Sequence, residues 1–294
     1  MKKIIATLAM AAGVLWTQPA MAHSFWVLLN ESLTHPPGHV TSLLGFGHVL
    51  PLDDLLTSEA GVIRIKSYVL VDPKGQSSDL GLPDPAVPPI KPTPTGLTVQ
   101  QGDLGLRKIA LTDKVGPGTY QVVAASEPLF FTVYLDDKGQ QAMAPKPMDA
   151  IANLGKVISS IKYQSYAKAF FGIKKWTEPK ALGHELEIVP LDDLSNVRKN
   201  DLVRFKVTYK GQPLTASPAA IPTLTCESNA FGQPDKFHLA AYVIDGVAQF
   251  RMPAAGQWLA NIYYHQRVAD GQKDLAGKCT DVYIAASVGF TVKP

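Results

Sequence analysis

The chain is predicted to be mainly β, as two antiparallel β-sandwich domains of immunoglobulin-like type with a helical connector between them. Short runs of β-branched and aromatic residues recur along it. The 23 glycines and 23 prolines fall largely between those runs, where they act as turn formers. One segment, 148–171, breaks this rhythm and repeats its apolar residues at three- and four-residue intervals, the spacing of a helix face.

Residues 1–22 read as a signal peptide. Lys2 and Lys3 give a positive start, 4–16 an apolar stretch, and Ala20-Met21-Ala22 a small-x-small cleavage site. The pattern is that of a bacterial Sec signal with no lipobox cysteine, so the periplasm is the expected location. Cleavage leaves 272 of the 294 residues, enough for two domains. After 4–16 no apolar run approaches the ~20 residues of a membrane helix, and no integral membrane segment is expected once the signal is removed. Formal charge is +3, and +1 without Lys2 and Lys3, too balanced to imply a nucleic-acid partner or an anionic membrane surface.

The first domain is expected over 23–145. Strands are anticipated at 67–71, which runs into the Asp72-Pro73-Lys74-Gly75 turn, and at 106–111, 119–124 and 130–134. Six prolines between Gly81 and Gly96 remove sheet donors and predict an extended surface loop. The connector is expected over 146–180. Met148, Ile151, Leu154, Val157, Ile158 and Ile161 supply one apolar helical stripe, and Gly172 a stop. The second domain is expected over 181–294, with strands at 185–189, 202–209, 247–251, 258–264 and 282–292. Lys210-Gly211 and Asp245-Gly246 serve as turns between them. Cys226 and Cys279, the two cysteines present, both fall in this half. In an oxidising compartment they read as a structural disulfide, with a metal-thiolate site as the alternative.

Four of the seven histidines fall between His23 and His48. Cleavage after Ala22 makes His23 the first residue, so its free amine and ring Nδ1 form a bidentate chelate that an internal histidine cannot reproduce. The α-amino group titrates near ~7.7–8.0 and a metal completes its deprotonation. His48, in Gly45-Phe46-Gly47-His48, stands at a strand end ahead of Asp53 and Asp54, either of which suits a ligand or orienting role. His265 ends the 258–264 strand and is a further candidate ligand at a domain edge. His35 and His39 flank a Pro-Pro-Gly turn and read as solvent-facing. His184-Glu185 lacks the second histidine of a zincin motif. No GxSxG, P-loop or GxGxxG occurs, and no catalytic residues are assigned.

Several segments together resemble the NikM-like family of bacterial periplasmic proteins, named for an association with nickel uptake. They are the start at His23-Ser24-Phe25-Trp26-Val27, the Phe46-Gly47-His48 segment through Asp54, and residues 118–123 with Phe130-Phe131-Thr132. Tyr166-Ala167-Lys168-Ala169, residues 183–191 and Ala255-Gly256-Gln257-Trp258-Leu259 complete the set. The resemblance implies an exported two-part protein near transition-metal uptake, with a metal-uptake transporter or outer-membrane receptor as partner. It carries His23 and His48 over as matching positions.

The expectation is therefore a non-enzymatic, periplasmic metal-binding accessory protein. Its metal would be a divalent transition ion, Ni, Co or Cu, held by His23, His48, His265 and Asp53, because nitrogen donors favour these ions over Mg or Ca. Two alternatives stay open: an interaction or structural module that binds no metal, and an oxidase with a copper histidine brace.

Overall fold

The structure is a computed structural model that describes residues 23–294 apart from Leu33, His35, 59–60, 87–89, 217–220, 233–236 and Asp270. Residues 1–22, the expected signal peptide, and His35 lie outside the described residues. The described chain is mainly β and forms several sheets, with a single 3-10 turn at Met148–Ala150.

The largest sheet has ten strands and runs through both halves of the sequence. Its main path is Leu239–Tyr242, Thr223–Glu227, Gly256–Arg267, Asp281–Val292, Val157–Ile173, Gly118–Ser126, Ile65–Val71 and Ser77–Asp79. Leu129–Leu135 and Gln141–Ala144 extend it beside the first part of Val157–Ile173. The pairing is antiparallel except at the centre, where Val157–Ile173 and Asp281–Val292 run parallel from Ile161↔Asp281 to Ala169↔Gly289. A parallel pair needs a long crossover, and here the crossover is residues 174–280.

The expected helical connector is overturned, because Val157–Ile173 is a strand of 17 residues at the middle of the sheet. Only Met148–Ala150 keeps any helical turn. The helix-like spacing covered 148–161, but burial alternates from Tyr163 to Ala167, and 167–171 are buried on both faces. Tyr163, Ser165, Ala167, Ala169 and Phe171 are buried on one face, while Phe170 packs on the other. Hydrogen bonding along both edges outweighs the weak helical preference of a segment rich in Val, Ile, Tyr and Phe.

Two smaller sheets cover opposite faces. Ser24–Ser32, His39–Gly47 and Arg107–Ala110 form one. Its Phe25, Val27, Val40, Leu44 and Phe46 pack on Val122, Ala124, Ala167, Ala169 and Phe171. Leu186–Pro190, Leu202–Tyr209 and Gln212–Pro213, with Val247–Arg251, form the other. Its Leu186, Ile188, Val203, Phe205 and Val207 pack on Phe170, Trp258, Ile284, Val288 and Phe290. The turns anticipated at Lys210-Gly211 and Asp245-Gly246 are present with both residues of each at positive φ, the conformation of tight hairpins. The described residues of the proline-rich segment are largely exposed and outside the sheets, with one short ladder, Lys91–Pro92 against Thr98–Val99.

Ser24–Ser32 lies directly over the parallel pair because small residues leave room for it. A Cβ at Gly289 would stand 2.1 Å from the Val27 carbonyl oxygen. Next to it, Ser287 Oγ donates to the Phe25 carbonyl at 2.6 Å.

The expected disulfide is also overturned, since Cys226 and Cys279 are both free and buried. Cys226 pairs with Ala260, and Ala260 with Val288. Cys279 lies beyond Asp281, at the opposite end of that same strand. At ~3.3 Å per residue the strand alone separates the two levels by about 23 Å, against the ~7 Å limit for bridged Cα atoms.

Candidate metal centre

The strand pairing dictates the site. Ser24 is opposite Gly47, so the residues just beyond them, His23 and His48, leave the sheet at the same corner. Their ring centres are 4.5 Å apart with planes inclined by 41°, and the His23 ring also stacks on Phe46 at 4.8 Å.

The chain after His48 turns back on itself. Asp53 Oδ2 accepts the His48 amide at 2.6 Å, and the Asp54 amide returns to the Phe46 carbonyl at 3.2 Å. Gly47 is required here, because its φ is +128° and a Cβ would lie 2.4 Å from Asp53 Oδ2. At Gly45 a Cβ would overlap the Trp26 indole, whose Nε1 donates to the Pro51 carbonyl at 3.2 Å and pins the loop.

Burial lowers the pKa of His23, and the neighbouring His48 lowers it further against the opposing pull of Asp54 and Asp53. The ring is thus biased toward its neutral, lone-pair-bearing form. An ion held at ~2.0–2.1 Å from an imidazole nitrogen stands about 3.2 Å from the ring centre. Two rings sharing one ion at a right angle then have centres about 4.5 Å apart, against about 6.4 Å for rings on opposite sides. The observed 4.5 Å separation is that of two rings in direct contact, and it leaves room for both on one side of an ion. Among the described residues, no group of three or more His, Cys, Asp or Glu side chains is gathered as a metal cage.

The sequence candidates therefore divide. His23, His48 and Asp53 are brought to one corner, with Asp53 acting on the His48 backbone. His265 is engaged elsewhere, its Nε2 at 2.7 Å from Asp281 Oδ1 and its ring stacked on Tyr283. His39 opens its strand opposite Ser32.

Sequence reasoning missed the polar groups behind His23. Ser24 Oγ is 2.9 Å from the Tyr263 hydroxyl and accepts from Asn261 Nδ2 at 3.0 Å. The Tyr163 hydroxyl donates to the His23 carbonyl at 3.5 Å. Burial raises the pKa of both tyrosines, keeping the phenols protonated. It also missed a buried polar cluster on the opposite face. There Lys168 Nζ meets Glu187 Oε1, and the Leu182 and Gly183 amides donate to the same carboxylate. His184 stacks on Tyr166 at 4.5 Å beside this pair. The one sequence signal for that cluster is a lysine set among the alternating aromatic and small residues of 163–171.

The family model described as a domain of unknown function, DUF4198, matches residues 20–266. The chain belongs to the DUF4198 family. That match takes in both sides of the DUF4198 corner described above, from His23 and His48 to Tyr263. No curated protein matches the chain.

Proposed function

We propose that this DUF4198 protein is a periplasmic metal-binding accessory protein of nickel- or cobalt-type uptake. The ion it carries would be bound by the amine and ring of His23 together with the ring of His48. The single observation that carries this reading is the approach of the two rings to 4.5 Å at the end of one strand pair. Asp53 would act by holding the His48 backbone and by its negative charge. The amine is the third nitrogen donor, made available by cleavage after Ala22, and such a donor set suits Ni(II), Co(II) or Cu(II).

The uptake context rests on the resemblance to the NikM-like family, with a transporter or an outer-membrane receptor as the partner receiving or delivering the ion. Among the described residues no helix is long and apolar enough to cross a membrane, which accords with a carrier role beside such a partner. Each half is read as an immunoglobulin-like sandwich built on a shared central sheet.

Calorimetric titration of Ni(II), Co(II), Cu(II) and Zn(II) into protein beginning at His23, beside His48→Ala, tests the proposal. Stoichiometric binding lost in the variant is the expected result. Equal binding in both, or none in either, overturns it and leaves a module that works without metal at this corner.

A further inference from the structure

Residues at a chain terminus fray unless something ties them down. His23 stands one residue outside the sheet, and Ser24↔Gly47 is the last rung of its ladder. A chelate that uses both amine and ring of His23 needs that residue's backbone held against His48, and the ladder ends too early to do so alone.

The Tyr163 hydroxyl donates to the His23 carbonyl at 3.5 Å, and a further hold, on Ser24, comes from the C-terminal half of the sequence. Ser24 Oγ is 2.9 Å from the Tyr263 hydroxyl and accepts from Asn261 Nδ2 at 3.0 Å. These partners are 239 and 237 positions away in sequence and both lie on the Gly256–Arg267 strand. Ser24 is 9% exposed and Asn261 5%, so water competes little for the bonds between them.

We infer that Tyr263 and Asn261 are positioning residues of the metal centre, clamping Ser24 from the Gly256–Arg267 strand so that His23 is held toward His48. The inference rests on the metal-site reading above. It assigns Ser24, Tyr263 and Asn261 no contact with the ion, and it makes the site a product of both halves although the histidines belong to one.

The test uses protein beginning at His23, with Tyr263→Phe and Ser24→Ala each removing a single hydroxyl. Two readouts are taken: Ni(II) and Cu(II) affinity with the visible ligand-field band, and the backbone order parameter at residue 24 without metal. The clamp predicts affinity weakened about tenfold in both variants, a shifted band and a lowered order parameter, with the unfolding temperature of Tyr263→Phe close to the parent. Unchanged affinity, band and order parameter overturn it. If the parent binds neither ion, the metal-site reading fails and the order parameter decides the clamp: a drop in both variants sustains it, and parental values refute it.

Discussion

Lys168 Nζ and Glu187 Oε1 form an ion pair inside the protein, with each side chain 2% exposed. The pair ties the Leu186–Pro190 strand to the central Val157–Ile173 strand, and the Leu182 and Gly183 amides complete the carboxylate's partners. Removing one member leaves a buried charge unpaired, which costs about 3–5 kcal/mol. Lys168→Met and Glu187→Gln should each lose stability of that order in urea unfolding. The double variant Lys168→Met/Glu187→Leu should recover part of it, because the apolar pair removes the desolvation penalty but leaves the Leu182 and Gly183 amides without their acceptor.

His184, beside that pair, gives the protein an acid-sensitive limb. Burial, then the Lys168 charge, lowers its pKa from 6.5 to about 4. A depressed folded pKa means that the unfolded chain binds the proton first, so the contribution is fully present above about 6.5 and is lost as pH falls toward about 4. The shift corresponds to about 3 kcal/mol. For Glu187 burial acts upward, but Lys168 and the Leu182 amide outweigh it and the pKa is lowered, so its contribution is lost below the ordinary carboxylate range. Unfolding free energy measured from pH 7 to 4 should fall in the parent and fall less in His184→Phe, which keeps an aromatic ring against Tyr166.

Gly289 sets how closely the first strand approaches the parallel pair. With the Val27 carbonyl 2.1 Å from the position of a Cβ, backbone must move to admit even a methyl group. Gly289→Ala should cost about 1–3 kcal/mol. The loss should appear in hydrogen exchange as faster opening of Ser24–Ser32 before the rest of the sheet.

Cys226 and Cys279 are at different levels of the sheet, so the oxidised protein should carry no intramolecular bridge. Burial raises the pKa of both thiols, that of Cys226 well above the ordinary range. Thiol titration after denaturation without reductant should count two free groups, and reductant should leave the unfolding temperature unchanged. A single missing pair of thiols would contradict the strand register.

The features legible in the sequence are those set by neighbours along the chain. Lys210-Gly211 and Asp245-Gly246 announce their hairpins because both positions of each turn need positive φ. Gly47 and His48 announce a strand end for a similar reason. What was hidden depends on partners far away. Val157–Ile173 looks helical in its first part, and its strand identity comes from edges supplied by residues up to Gly289. Cys226 and Cys279 share a half but not a level. His265 faces Tyr283 and reaches diagonally to the Asp281 carboxylate on the adjacent strand, which no local spacing reveals. The Ser24–Tyr263 contact joins the two ends of the matched region, and only the assembled sheet brings them together.

The most direct test of the metal-centre account is the amino-terminal chelate itself. Cu(II) and Ni(II) should be titrated into protein beginning at His23 and into a form carrying one extra alanine ahead of it. The account predicts stoichiometric binding by the first form and a loss of about tenfold or more in the second, because the extra residue converts the amine of His23 into an amide. Equal affinity in the two forms would contradict it.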